Sequence, residues 1–317
     1  MSRIPLFALV TLLALIPGNR VEAQASIAVQ PVKVAFIGDQ GLNENSAAVL
    51  RLVRDEGADI LLHQGDLDYS DRPDVWDAFV SDILGVDFPY LVSAGNHDEP
   101  WAGAQGYAAR LQARVERIAE LDCQGEAGVQ SVCRFRGLFF LFSGVGTRLP
   151  KDDPAHIAWM REQLAATDSL WRICSWHKNQ ARMQAGGKRD EVGWLAYETC
   201  REGGAIIASA HEHSYARTHL LANFEQPLIV STANSLVIEK GRTIAFVSGL
   251  GGFGIRSQRR SDPWWASIVT SDQQASFGAL FCTFFDKGIA EHASCYFKDI
   301  DGRIRDRFDF VSRVNTS

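Results

Sequence analysis

The sequence predicts an α/β fold in which β-sheets are layered together and helices pack on the outside. Three observations carry this. Short β-rich runs alternate with stretches of helical periodicity through the first two thirds of the chain. Strand-like runs then follow one another almost to the C-terminus, and no Pro/Gly/Ser-rich linker divides the two parts. One domain over residues 26–317 is expected, preceded by an export signal over residues 1–25.

The signal is read first because it must be set aside before the fold. Arg3 gives a basic start, "PLFALVTLLALIP" is the apolar stretch, and "VEA" or "AQA" offers small residues for cleavage after Ala23 or Ala25. The apolar stretch is shorter than the ~20 residues that span a bilayer. The expected product is soluble, secreted or periplasmic, with no membrane in its mature form. Removing Arg3, Arg20 and Glu22, a net +1, turns the formal charge of −6 into −7, which argues against general nucleic-acid binding. Lys178, Arg182, Lys188 and Arg189 make a local basic run, read as a solvated loop.

Five runs read as buried strands that stop at polar or Gly-containing clusters: "VKVAFIGDQG", "DILLHQGDLDY", "PYLVSAGNHDE", "WRICSWHK" and "AIIASAHEHSY". Between the first two, "NSAAVLRLVRDEG" has helical spacing, an N-cap at Asn45 or Ser46 and Gly57 as terminator, giving a β-α-β order. Further helices are expected over "AQGYAARLQARVERIAEL", "AHIAWMREQLAAT" and "EVGWLAYETCRE". The C-terminal runs "PLIVSTANSLVIE", "TIAFVSGL", "GALFCTFF", "ASCYFKDI" and "RFDFV" read as antiparallel sheet.

Six cysteines fit an oxidising compartment and up to three bridges, with fifteen possible pairings. Cys123 and Cys133 flank a Gly-containing loop and form the best local pair. A four-residue turn at "KGIA" would set Cys282 opposite Cys295, leaving Cys174 and Cys200. No C-x-x-C spacing supports a thiolate metal site.

Loops after parallel strands collect at one sheet edge, so strand-end polar residues mark the site. The five runs end in Asp39; in Asp66 and Tyr69; in Asn96, His97 and Asp98; in His177; and in His211 and His213. The last pair raises its own expectation. Side chains at i and i+2 of an extended segment point to one side, and imidazole is the commonest metal ligand. Singly, each residue has an ordinary reading as turn, cap or surface; together they do not.

In this order, "GDQG", "GDLDY", "GNHD", "SWH" and "AHEH" resemble the five motif blocks of the calcineurin-like metallophosphoesterases. The resemblance spans roughly residues 32–256. It implies a four-layer sandwich, two mixed β-sheets flanked by helices, with a β-rich C-terminal part. The first block lacks the usual D-x-H, reading Asp39-Gln40-Gly41, while Tyr69 follows Asp66; that combination resembles the purple acid phosphatases. Ala210 stands where the family often has Gly.

The resemblance implies two metal ions bridged by Asp66. One is expected on Asp39, Asp66, Tyr69 and His213, the other on Asp66, Asn96, His177 and His211. Three anionic oxygens suit a hard trivalent ion, and two imidazoles with an amide suit a divalent one, so iron(III) with iron, zinc or manganese(II) is inferred. The function implied is hydrolysis of phosphate monoesters on a small substrate by a metal-bound hydroxide. His97 would bond the phosphoryl group and protonate the leaving oxygen, with Asp98 either orienting it or standing as a surface acid. The alternatives are a phosphodiesterase or nucleotide hydrolase with the same metals, and a non-catalytic phosphate-binding module.

Other signals are set aside. "GLGGFG" at residues 249–254 matches a dinucleotide fingerprint but does not open a β-α-β unit, so it reads as a tight loop near the metal edge. His63, His156, His219 and His292 match no block and read as structural or surface. Trp264 and Trp265 read as buried aromatics rather than a substrate wall.

Overall fold

The computed structural model describes Met1 and residues 29–315; apart from Met1, the expected signal segment lies outside them. From the N-terminus come β1 (Val32–Ile37), α1 (Glu44–Asp55), β2 (Ile60–His63), α2 (Pro73–Leu84), β3 (Tyr90–Val92) and α3 (Tyr107–Val115). A meander of β4 (Leu121–Glu126), β5 (Gln130–Phe135) and β6 (Leu138–Ser143) leads into α4 (Pro154–Ala166), β7 (Trp171–Ser175), α5 (Leu195–Glu202) and β8 (Ile206–Ser209). Strands follow: β9 (Tyr215–Thr218), β10 (Leu220–Leu221), β11 (Ile229–Ser231), β12 (Ser235–Ile238) and β13 (Ala245–Ser248). The last are β14 (Trp265–Val269), β15 (Gly278–Phe284), β16 (His292–Asp299) and β17 (Ile304–Ser312).

Two mixed sheets result. One runs β12-β17-β16-β15-β1-β2-β3 and the other β14-β9-β13-β8-β7-β6-β5-β4. Each is parallel where helices make the crossover, as in β1-β2-β3 and β6-β7-β8, and antiparallel where hairpins do, as in β15-β16-β17. The alternation of "LFFLFS" in β6 shows how the layers form. Phe140 and Phe142 pack between the sheets with Phe36, Leu62, Ile173 and Leu280. Phe139 and Leu141 face outward onto a second core with Met160 and Leu164 of α4 and Tyr197 of α5. On the far side, Ala35, Ile37 and Phe281 meet Val49 and Val53 of α1 and Trp76 of α2. A sheet covered on both faces needs continuous apolar strands, and that is what the sequence supplies.

The expected elements are present with corrected edges. α1 is capped by Asn43, whose Oδ1 accepts from the Asn45 and Ser46 amides, so the helix starts before Asn45. α3 ends at Val115 because Leu121 is already paired with Phe135 in β4. The C-terminal strands are not purely antiparallel: β12 lies parallel to β17 and β13 parallel to β8.

All six cysteines are bridged, as Cys123–Cys133, Cys174–Cys200 and Cys282–Cys295. The first and last pairs sit opposite each other in register. The connection behind the last is longer than the "KGIA" turn, since β15 ends at Phe284 and β16 begins at His292. The middle bridge ties β7 to α5. Between the sheets, Arg217 of β9 makes a two-pronged pair with Asp306 of β17 at 2.7 and 3.0 Å, and the Tyr215 hydroxyl donates to the same carboxylate at 2.7 Å.

Candidate metal centre

Because β1, β2 and β3 are parallel, as are β7 and β8, their following loops leave both sheets at one edge. The loops are stitched by backbone bonds: Asp39 N–H to Gly65 O at 3.0 Å, Gln40 N–H to Asp66 O at 2.9 Å and Ala210 N–H to His177 O at 3.0 Å. Close backbone contact demands small residues. A Cβ on Gly95 would stand 2.1 Å from Asp66 N, and one on Gly38 would stand 2.3 Å from the Cβ of Ala210. Gly38 therefore makes the room that Ala210 takes. The "GLGGFG" segment is the tight loop expected at this edge: Gly251 N–H donates to Gly38 O and Phe253 N–H to Asp39 O, both at 2.9 Å.

All seven candidate ligands converge, in two groups. In the first, the Tyr69 hydroxyl donates to Asp39 Oδ1 at 2.9 Å and lies 3.2 Å from His213 Nε2, which is 3.4 Å from Asp39 Oδ1. In the second, His177 Nε2 lies 3.2 Å from Asn96 Oδ1, 3.2 Å from Asp66 Oδ2 and 3.1 Å from His211 Nδ1. Asp66, His177 and His211 present donor atoms within 4.8 Å of one another.

The tautomers test whether cations fit. His177 Nδ1 lies 2.7 Å from Gln64 O, a carbonyl that only accepts, so Nδ1 carries the proton and Nε2 points a lone pair into the site. His211 Nε2 lies 3.1 Å from Glu191 Oε2, so its proton is there and Nδ1 points a lone pair inward. With both rings neutral, two ring lone pairs, an amide oxygen and a carboxylate oxygen thus face each other with no donor among them. Asp39 Oδ2 is buried and has no partner at all. Such a cage of acceptors fits positive ions.

Ionisation tells the same story. Burial pushes Asp39 up to about 8, with the Asp66 charge adding and His177 and the Tyr69 hydrogen bond opposing. Burial disfavours the His177 imidazolium, yet the Asp66 and Asp39 carboxylates outweigh it and raise that ring to about 9, so a proton on Nε2 and a cation compete for the same acceptors. Burial holds His213 down to about 3, helped by the Arg256 and Lys188 charges. Tyr69 is driven far above the usual phenol range by burial and then by Asp39 and Asp66. Its phenolate needs a cation beside it.

Three expectations are corrected. His211 and His213 do not extend β8, which ends at Ser209; His211 has φ +66°, and the two rings diverge to different groups instead of sharing one strand face. Asp98 neither orients the His97 ring nor faces solvent. It is fully buried and accepts from the Asp66, Leu67 and Gly95 amides at 3.1, 2.7 and 2.6 Å, which fixes the Asp66 loop. The basic run is not a uniform solvated loop either. Lys178 is bound to Glu191 at 2.6 Å, and the Lys188 charge acts on Asp39 and Asp66.

His97 stands at the open side of the centre, exposed, its ring centroid 4.8 Å from that of Tyr69. Sequence reasoning missed Glu191, for which no local signal exists, and Phe253, which stacks on Tyr69 at 3.6 Å between centroids. The set-aside histidines are structural where buried: His63 bonds Tyr90 at 2.7 Å and His156 bonds Ser143 at 2.7 Å. Trp264 and Trp265 are buried, as expected.

Comparison with known proteins bears on this geometry. The family model described as calcineurin-like phosphoesterase matches residues 32–215. A nucleotide pyrophosphatase/phosphodiesterase of Hordeum vulgare is 23% identical over 296 residues, covering 81% of this chain and 73% of that protein. Purple acid phosphatase 15 of Arabidopsis thaliana is 22% identical over 235 residues, covering 62% of this chain and 42% of its own length. Among solved structures, a purple acid phosphatase from seeds of yellow lupin (Lupinus luteus) aligns with a TM-score of 0.66 at 19% identity, over 89% of this chain and 54% of that one. GAP50, described as the anchor in the inner membrane complex of Plasmodium, aligns with a TM-score of 0.60 at 11% identity over 90% of both chains. The chain thus spans about half the length of the lupin protein and less than half of the Arabidopsis one. It belongs to the calcineurin-like phosphoesterase family and within it is similar to the purple acid phosphatases.

Proposed function

We propose that this chain is an exported phosphatase that hydrolyses phosphate monoesters at a binuclear metal centre. The observation that carries the reading is the cage of inward lone pairs. Asp39, Tyr69 and His213 would hold one ion, Asn96, His177 and His211 the other, with Asp66 between them. The donor chemistry suits iron(III) in the first group and iron, zinc or manganese(II) in the second. The chemistry supplied by a bound cation pair is Lewis acidity towards a phosphoryl oxygen and an attacking water.

The chain's own residues do the rest. Glu191 and the Gln64 carbonyl hold the two imidazole tautomers. Asp98 holds the Asp66 loop through three amides. His97, next to Tyr69 and free of side-chain bonds, is placed to donate to a phosphoryl oxygen and to the leaving oxygen. Export is supported by the three disulfides; no helix among the described residues is long and apolar enough to cross a membrane.

A second reading, a phosphodiesterase or nucleotide hydrolase, is favoured by the name of the barley relative. Metal analysis of purified protein, followed by turnover of p-nitrophenyl phosphate and bis-p-nitrophenyl phosphate, separates the two. Two transition metals per chain and faster monoester hydrolysis are expected. Faster diester hydrolysis would replace the first reading with the second, and full activity at substoichiometric metal would end both.

A further inference from the structure

The cation cage accounts for one phosphate, but positive charge continues beyond it. An open cleft of about 440 Å³ is lined by Gly187, Lys188, Glu212, Arg256, Ser257 and Arg259, a volume within the usual range for small-ligand sites. It adjoins the metal centre directly. Arg256 N–H donates to His213 O at 2.9 Å, and a Cβ on Gly254 would lie 3.4 Å from His213 Nδ1. We propose that this cleft is a second anion subsite, which takes the inner phosphate of an organic diphosphate whose terminal phosphate is hydrolysed at the metal centre. The proposal rests on the phosphatase reading above and names its substrate class.

Three features make the cleft a built site. The first is charge without a partner: among the described residues no hydrogen bond or ion pair engages the Lys188 ammonium or the Arg256 and Arg259 guanidinium groups. Lys188 and Arg256 also lie near enough to the centre for both charges to act on His213. Cations left unpaired in this way are available to phosphate oxygens.

The second is a fixed backbone. The Arg259 and Arg260 amides both donate to Ala185 O, at 2.8 and 3.0 Å, and the Ser271 amide donates to Arg256 O at 2.9 Å. The Arg260 guanidinium is turned away, onto the Gly186 and Lys188 carbonyls, and Gln184 Nε2 donates to Lys188 O at 2.8 Å. The segments carrying Lys188, Arg256 and Arg259 are thereby locked together before any ligand arrives, which lowers the ordering cost of binding.

The third is Glu212. Its residue is 1% exposed, and both carboxylate oxygens are buried without a partner. The carboxylate is pressed against Gly186, where an added Cβ would stand 2.1 Å from its Cδ. It lines the cleft with almost no surface of its own exposed, and the Arg256 and Lys188 charges act on it, so one carboxylate stands against three cations. The cleft therefore keeps a positive balance.

The reaction balances simply. Water attacks the terminal phosphorus and the bridging P–O bond breaks. The electron pair stays on the former bridging oxygen of the departing monophosphate, held by Lys188 and Arg256; the water oxygen remains on the terminal phosphorus, its displaced proton passes to solvent, and orthophosphate is released.

The test compares adenosine diphosphate with adenosine monophosphate, which differ by the phosphate in question, using metal-loaded protein. The diphosphate should have the higher kcat/KM, by about 10-fold or more; because its anhydride leaving group contributes to that ratio without any subsite, the variants and the binding measurement carry the test. Lys188→Gln or Arg256→Gln should lower the diphosphate-to-monophosphate ratio by about 10- to 100-fold, the worth of one charge-assisted hydrogen bond. A ratio near one in the parent protein, or equal losses on both substrates in the variants, overturns the subsite. Calorimetric binding of α,β-methylene adenosine diphosphate against a non-hydrolysable phosphonate analogue of the monophosphate gives an independent reading. If no ester is turned over, the phosphatase reading falls. A diphosphate preference in binding that disappears in both variants would still sustain the subsite, and equal binding would remove it.

Discussion

Replacing Glu191 should loosen one metal position and largely spare the other. Glu191 is not among the candidate ligands. Its Oε2 takes the Nε2 proton of His211 at 3.1 Å, while its Oε1 is anchored by the Lys178 ammonium at 2.6 Å. Both side chains of that ion pair are mostly buried, at 15% and 16% exposure, so the anchor is shielded from solvent screening. Without the carboxylate, the His211 ring is free to turn and to carry its proton on Nδ1, the nitrogen whose lone pair points at His177. Loss of such an outer partner typically costs 10- to 100-fold in metal affinity, about 1.4–2.7 kcal/mol. Glu191→Ala should show this whole loss. Glu191→Gln should show less, since its amide oxygen can still accept from His211. The assay is competition with a chelator of known affinity, reading zinc release from the second position and iron release from the first in the same sample. Iron should be held as in the parent protein, because Asp39, Tyr69 and His213 do not touch Glu191. Unchanged zinc affinity in Glu191→Ala would refute the reasoning, and so would equal loss at both positions.

Tyr69→Phe should abolish the visible charge-transfer band of the oxidised, iron-loaded protein, because the phenolate is the donor; a band that survives the substitution removes Tyr69 from the metal site. His97→Ala should lower turnover by about 10²- to 10⁴-fold with both metals retained, and metal loss alongside activity loss would make His97 a ligand or a fold residue. Asp306→Ala should destabilise the protein by about 3–5 kcal/mol, read from the denaturant midpoint, because it strands the 1%-exposed Arg217 side chain without its partner. A loss below about 1 kcal/mol would mean that the pair is not what joins the sheets there.

Much of this molecule was legible where local chemistry and function coincide. The five strand-end blocks could be read because apolar runs that stop at Gly-Asp or at histidine are local signals, and parallel topology then brings them together. The layered class followed from the β-α-β alternation. What escaped reading depends on partners distant in sequence. The α2 segment "PDVWDAFVSDIL" carries a mixed pattern, and its N-terminus has no side-chain cap. β4 is largely exposed and polar, so its pairing with β5 shows in the cysteines rather than in periodicity. Glu191 and Lys188 lie in a loop with no repeat or motif, and only the fold brings them to His211 and Asp39. The H-x-H reading reached two residues that the fold does bring to the candidate centre, but by an incorrect route, since extended geometry ends before His211.

Fold similarity alone would leave the choice between an enzyme and a scaffold open, since the lupin phosphatase and the Plasmodium anchor both align with this chain. The backbone of the ligands bears on that choice. Asp39, Asp66, Tyr69 and His211 all have positive φ, at 57°, 59°, 57° and 66°. For aspartate and histidine this conformation is comparatively tolerated, but for tyrosine it is costly, and residues held in sparsely populated regions cost about 1–3 kcal/mol each. A glycine at Tyr69 or His211 would relieve that cost and serve a scaffold at least as well. It would also remove the oxygen or nitrogen that the side chain brings to the centre. The same tension recurs at Asp39, buried with one oxygen unpaired, and at His177 and His211, whose facing nitrogens need a proton or a cation between them. Positive charge bound at the meeting point of the loops would offset these local penalties together. The proposed metal-dependent hydrolase would account for them with one ligand set, and a scaffold that binds no metal would not.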